Sequence, residues 1–299
     1  MASTMFSLIA APFTPFGVDG AVDDGTIGRL AAHLAATGVD GAFVCGTTGE
    51  GPSLTTRERM HVAERWMAVA GPLRVLVHVG HASVEESREL AAHAARIGAA
   101  GIGCFAPFFF RPRSIHALVE TVARVASAAP RTPFFYYHIP SMTGVDLPMR
   151  EFLPVAAARI PSFAGIKYTH DDLDDFEACL RHAGGRFEML FGRDEILLDA
   201  VDRGAMSAIG STYNFMAPRF RELLAARSRG DASAARAAQD AAARVIDVML
   251  RHGGLAAGKA MMAMAGVACG PVRLPLESLD AAAVTSLRAD LAGVGFEHA

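Results

Sequence analysis

The sequence predicts an α/β protein, a (β/α)8 barrel with an additional C-terminal helical segment. Three observations predict it. Eight short apolar runs recur up to about residue 216, and segments with helical spacing separate them. The runs carry few alternating polar residues, as expected of parallel strands covered by helices. From about Ala217 the chain becomes alanine-rich and helical, longer than one closing helix requires. One domain is therefore expected, with a barrel core over 1–216 and helices over 217–299 packed on it. A doubly wound sheet is the competing arrangement. It would usually carry a glycine-rich phosphate-binding turn after the first strand, and "SLIAAPFTP" has none.

The elements follow in order. After "SLIAAPFTP", Asp23 caps a helix with Ile27, Leu30 and Leu34 at helical spacing, and Gly38 ends it. "GAFVCGTTGEG" reads as a strand breaking into a glycine-rich loop. "TTRERMHVAERWMAVAGP" opens with a Thr55/Glu58 capping box, is expected to bury Met60, Ala63 and Met67, and stops at Gly71-Pro72. "RVLVHVGH" is the third strand. A Ser83/Glu86 box then starts a helix with Leu90, Ala94 and Ile97 inward. The alternation continues through "GIGCFAP", a helix near 114–128, "PFFYYHIP", a helix near 148–158 and "FAGIKY". A helix near 171–182, "FEMLFG" and "AMSAIGS" complete it.

Composition narrows the partners. The chain has 299 residues, 52% of them hydrophobic, with 28 basic and 31 acidic side chains and a net charge of −3. Such a balance supplies neither a basic stripe for nucleic acid nor a polybasic membrane patch, so small molecules are the expected partners. "MASTMFSLIAAPFTP" lacks a basic leader and is broken by Pro12 and Pro15, so no signal peptide is expected. Cys45, Cys104, Cys179 and Cys269 are widely spaced in apolar settings. They read as buried thiols in a reducing compartment, which points to the cytoplasm.

Chemistry in a parallel barrel belongs where strands end and the following loops begin. Those ends read "TTGE", "HVGH", "YYHIPSMTG", "KYTHDD", "GRDE" and "GSTYN". Lys167, inside "GIKY", has two readings. It is a salt-bridged or snorkelling lysine, or desolvation lowers its pKa and makes a neutral amine able to form a Schiff base. The second reading needs a holder for an anionic group and a proton carrier. Thr47 and Thr48 with the glycines around them can be the first, and Tyr137 the second; a plain turn and a core tyrosine are the competing readings. "GGLAAGKA" has P-loop spacing around Lys259, but Ala260 stands where Ser or Thr is required, and a helix–helix turn is expected. His78 and His81 lack further ligands at metal spacing, so no metal is assigned to them. "DDLDDFE" is read as a solvated helix start.

Taken together, "GTTGEGPSLTTRER", "YYHIPSMTGV", "GIKY", "FGRDE" and "GSTYN" resemble, in order and interval, the pyruvate-dependent class I aldolase family that includes dihydrodipicolinate synthase. The resemblance runs from about Ser7 to Leu276. It implies Lys167 as the Schiff-base lysine, Tyr137 as the acid/base, and Thr47 and Thr48 as the pyruvate carboxylate's holders. Thr169, Gly192, Asp194, Glu195 and Ser211 fall where the sialic-acid-cleaving members contact a hydroxylated tail. The implied reaction is cleavage of N-acetylneuraminate to pyruvate and N-acetylmannosamine, without cofactor or metal, by a homotetramer. Other pyruvate aldolases, 2-keto-3-deoxy sugar acid dehydratases, a dihydrodipicolinate synthase-like activity and a non-catalytic keto-acid sensor are the alternatives. Two departures stand out. Met142 occupies the position of the arginine that dihydrodipicolinate synthase uses for its substrate carboxylate. Phe108, Phe109 and Phe110 occupy the loop where many relatives carry a proton-passing tyrosine.

Overall fold

Eight parallel strands close on one another in chain order in the computed structural model, which describes residues 6–296. Residues 1–5 of the N-terminal stretch considered above lie outside the described residues. The strands are β1 (Ser7–Ala10), β2 (Gly41–Val44), β3 (Arg74–His78), β4 (Gly101–Phe105), β5 (Phe134–His138), β6 (Phe163–Tyr168), β7 (Glu188–Phe191) and β8 (Ser207–Gly210). β8 returns to β1 with Ser7 opposite Ser207 and Ala10 opposite Gly210, which closes the barrel. No helix among the described residues is long and apolar enough to cross a membrane.

Alternation along the strands sorts their side chains into two cores. Ile9, Phe43, Leu76, Phe135, Leu190 and Ile209 point inward and fill the barrel. The alternate residues, such as Leu8, Val44, Val75, Tyr136 and Ile166, join a larger core beneath the helices. That outer layer contains α1 (Asp24–Ala36), α2 (Thr56–Val69), α3 (Val84–Arg96), α4 (Ile115–Ala126), a single turn α5 (Pro140–Thr143), α6 (Met149–Arg159), α7 (Leu173–Ala183) and α8 (Leu197–Asp202). Beyond β8 lie α9 (Tyr213–Ser228), α10 (Ala232–Arg251), α11 (Leu255–Met264) and α12 (Ala281–Gly293). Residue 217 thus falls inside α9 rather than between elements.

Local signals explain the helix starts. Asp23 accepts from the Thr26 N–H at 3.0 Å, and Thr55 and Glu58 form the reciprocal capping box. Three expectations need correction. Ser83 caps α3, but Glu86 does not reach back; its carboxylate accepts from Thr56 Oγ1 on α2 instead. The inner face of α2 is Arg59, Val62, Ala63 and Trp66, with Met60 and Met67 half-buried at its flanks. Asp175 in "DDLDDFE" is not solvated. It is 3% exposed and accepts from the N–H groups of Met149 and Arg150, at 2.9 and 3.0 Å, where α6 has no side-chain cap of its own.

Candidate active site

β5 and β6 set the centre of the site. Tyr137 lies opposite Lys167 in register, and both turn toward the barrel axis. The pairing shifts between Phe134 and Phe135: Phe134 faces Phe163, whereas Phe135 faces Gly165, leaving Ala164 as an extra residue on β6. Such a bulge re-aims the residues beyond it. Gly165 is required there, because a Cβ would lie 1.8 Å from the Glu188 carbonyl oxygen. Two residues later, Lys167 is 4% exposed. Its Nζ lies 3.6 Å from the centre of the Tyr137 ring, 5.4 Å from that of Phe43, and donates to Thr169 Oγ1 at 3.1 Å. No carboxylate lies within ion-pair distance of it among the described residues. Burial lowers its pKa, an effect only partly offset by Tyr137 and by Asp194.

The glycine-rich loop after β2 faces this pair. The Thr47 hydroxyl is 3.3 Å from the Tyr137 hydroxyl, and Thr48 is buried. The backbone N–H groups of Thr47 and Thr48 pair with no acceptor among the described residues, which suits an anionic ligand. The loop is clamped from behind. Glu50, in the left-handed region at φ 53°, meets Lys259 of α11 at 2.8 Å, and its other oxygen accepts from the Arg273 N–H at 2.8 Å.

Asp194 and Glu195 follow β7, and Ser211 follows β8. Asp194 is 5% exposed, and one of its oxygens accepts from the N–H and hydroxyl of Thr212 at 3.0 and 2.6 Å. The other, Oδ1, is buried and makes no well-aligned hydrogen bond among the described residues, although the Tyr213 hydroxyl interacts with the carboxylate. Burial raises the Asp194 pKa to about 6 despite those hydrogen bonds. Glu195 is half-buried and paired with Arg193 at 2.8 Å. Gly192 is a close approach, since a Cβ there would sit 2.0 Å from Thr169 Oγ1 and displace the hydroxyl that Lys167 contacts.

Gln239, Asn214 and Arg59 support the site and escaped the sequence reading. Gln239 of α10 donates to the Asp194 carbonyl at 3.1 Å and accepts from the Leu198 N–H at 2.8 Å. Asn214 donates to the carbonyls of Ala11 and Ser211, both at 2.7 Å. Arg59, 1% exposed, donates to the carbonyls of Gly80 and His78 at 2.8 and 2.7 Å. His78 Nδ1 lies 3.1 Å from the Cys45 carbonyl, and burial, aided by Arg59, pushes that imidazole far below its ordinary pKa. For Arg59 a signal existed: it shares helical spacing with Val62, Ala63 and Trp66. Nothing in the local pattern around Gln239 or Asn214 announces their partners.

The match to the family described as the dihydrodipicolinate synthetase family extends over residues 4–293. The chain belongs to that family. Within it, the chain is 41% identical over 295 residues to N-acetylneuraminate lyase of Pongo abelii, covering 97% of this chain and 92% of that one. With the Mus musculus lyase the identity is 43% over 276 residues, covering 90% and 86%. Among solved structures, Proteus mirabilis N-acetylneuraminate lyase superposes with a TM-score of 0.94 at 39% identity, covering 98% of this chain and 100% of that one. The eight-stranded barrel with its C-terminal helices is thus the architecture of these family members.

Proposed function

We propose that the protein is a class I lyase that cleaves N-acetylneuraminate into pyruvate and N-acetylmannosamine. A single observation carries the catalytic half of this reading: Lys167 is enclosed in the barrel mouth with no carboxylate partner, against the face of Tyr137. A buried lysine without a counter-ion loses its proton more readily, and the neutral amine is the nucleophile that ketones accept. The identities near 40% to N-acetylneuraminate lyases over most of the chain support the choice of substrate.

In this mechanism, Lys167 Nζ adds to the C2 carbonyl of the open-chain keto acid, and loss of water leaves a protonated imine. The unpartnered N–H groups and hydroxyls of Thr47 and Thr48 receive the C1 carboxylate. Tyr137, directly or through that carboxylate, takes the proton from the C4 hydroxyl. The C3–C4 bond then breaks, its electron pair moves into the imine to give an enamine, and the aldehyde departs. Protonation of the enamine at C3 and hydrolysis release pyruvate and restore the amine. Thr169, Gly192, Asp194, Glu195 and Ser211 line the side on which the polyol tail would lie. There the Asp194 carboxylate, whose Oδ1 makes no well-aligned hydrogen bond among the described residues, can accept from a substrate hydroxyl.

Met142 is 65% exposed on α5 and offers no charge to a second carboxylate, which disfavours the synthase-like alternative. The aromatic loop after β4 leaves Phe109 and Phe110 75% and 86% exposed, an apolar patch that suits burial against a second copy. We therefore also infer a homotetramer, with the cytoplasm as its compartment given four free buried thiols. Purified protein offered a panel of 2-keto-3-deoxy acids should release pyruvate from N-acetylneuraminate most efficiently. Preference for another acid would leave the aldolase reading standing and overturn the substrate. Light scattering should give about four times the 31.5 kDa chain mass, and a monomer would overturn the assembly.

A further inference from the structure

His138 ends β5 with its side chain on the opposite face of the strand from Tyr137, outside the barrel. It is 1% exposed, its ring centre lies 5.2 Å from that of Tyr168, and Nδ1 is buried without a hydrogen-bond partner. Nor does Nε2 find a hydrogen-bond partner among the described residues. A core histidine normally satisfies at least one nitrogen, because leaving a buried polar group unpaired is costly. Two other ligating groups converge on this ring. His170, on the loop after β6, has its ring centre 5.5 Å away, and Asp146, on the loop after α5, approaches His170 Nε2 at 3.7 Å. One donor atom from each of the three residues lies within 4.8 Å of the other two.

We propose that His138, Asp146 and His170 form a binding site for one divalent transition-metal ion of the zinc class. Two imidazoles and one carboxylate favour zinc, cobalt or nickel over the oxygen-seeking magnesium and calcium. The 3.7 Å spacing is close to the edge of roughly 3.4 Å expected of a tetrahedron with zinc–nitrogen distances near 2.05 Å. The other spacings, up to 4.8 Å, require the exposed Asp146 carboxylate and the His170 ring to close in by about an ångström. A further feature belongs to a metal centre. His170 Nδ1 lies 3.1 Å from Asp171 Oδ1, and a carboxylate on one ring nitrogen fixes the tautomer that presents the other to a metal. Asp146 is exposed and His170 partly so, which leaves the solvent side open for water as a fourth ligand.

The ion would not face the substrate. Strand alternation sends Tyr137 and Lys167 inward and His138 outward, so the site lies behind the two strands that carry the reacting groups. Its effect would be to strap the loop containing α5 to the loop that continues from Thr169. This role is independent of the Schiff-base chemistry and of the choice of substrate.

The test uses the full chain, stripped with chelator and titrated with cobalt(II) chloride. Visible absorption and calorimetry should show one ion bound per chain, and zinc chloride should raise the melting temperature. His170→Gln and Asp146→Asn should each weaken cobalt binding by more than about tenfold and abolish the zinc-induced rise, while Asp171→Asn weakens binding by about tenfold. Circular dichroism of each variant should match the unsubstituted protein. Stoichiometric binding that survives both ligand substitutions, or no binding to the unsubstituted chain, would overturn the proposal.

Discussion

Two buried lysines occupy the same chain, one inside the barrel and one on a C-terminal helix, and do opposite things. Lys167 is 4% exposed and Lys259 3%, so burial alone does not distinguish them, and it lowers the pKa of both. Their partners do. Lys259 has Glu50 at 2.8 Å, the Pro271 carbonyl at 2.6 Å and the Phe16 ring at 4.3 Å, an environment that stabilises an ammonium. Lys167 has one hydroxyl and the faces of two aromatic rings. A fixed cation results in the first case and an amine that can release its proton in the second. The paired lysine ties α11 to the loop of Thr47 and Thr48, whereas the unpaired one reacts.

The largest effects should come from the unpaired lysine and its neighbour. Lys167→Met should lower cleavage by on the order of 10⁴-fold or more. Tyr137→Phe should lower it by about 10²–10⁴-fold while pyruvate is still trapped, because imine formation and bond cleavage are separate steps. Steady-state pyruvate release and single-turnover trapping measure the two. Lys259→Met should instead act on stability. It strands a buried Glu50 carboxylate, a loss of about 3–5 kcal/mol or roughly 6–10 °C in melting temperature. Lys259→Met with Glu50→Gln should recover part of it. A Lys259→Met protein as stable as the unsubstituted chain would remove the structural half of the comparison.

Smaller effects belong to the tail side of the site. Asp194→Ala should weaken N-acetylneuraminate cleavage by roughly tenfold to a hundredfold, since a lost buried partner costs about 1–3 kcal/mol. Trapping of pyruvate, which has no tail, should hardly change. The same carboxyl sets a pH dependence. Its pKa is about 6 when folded against an ordinary aspartate value of 3.8, so the unfolded chain gives up this proton first. The group therefore stabilises the fold most below about pH 4 and loses that contribution as pH rises through 6, by about 3 kcal/mol at most. Denaturant melts across that window should show Asp194→Asn lacking this component. An identical pH profile for the two proteins would contradict the raised pKa.

Much of this was legible in the sequence because strand ends in a parallel barrel are short and punctuated. "GIKY" and "FFYYH" placed Lys167 and Tyr137 on neighbouring strands, and Thr47 follows β2 where its loop breaks. What the sequence hid depends on contacts between distant segments. The α2 face was misread because Met60 and Met67 are the more hydrophobic residues, yet the buried guanidinium of Arg59 pairs with carbonyls at the end of β3 and the loop after it. Asp175 looked solvated in an acidic run until the open N-terminus of α6 packed over it. The helix–helix turn expected at "GGLAAGKA" gave no sign of the ion pair at Lys259, because its partner, Glu50, is far away in the chain.

Borohydride reduction in the presence of pyruvate, followed by peptide mass spectrometry, tests the central distinction most directly. The account predicts a reduced pyruvate adduct on the peptide containing Lys167 and none on the peptide containing Lys259. The label should grow with pH as the Lys167 ammonium loses its proton. An adduct on Lys259, or no adduct on Lys167 in protein that is turning over substrate, would contradict it.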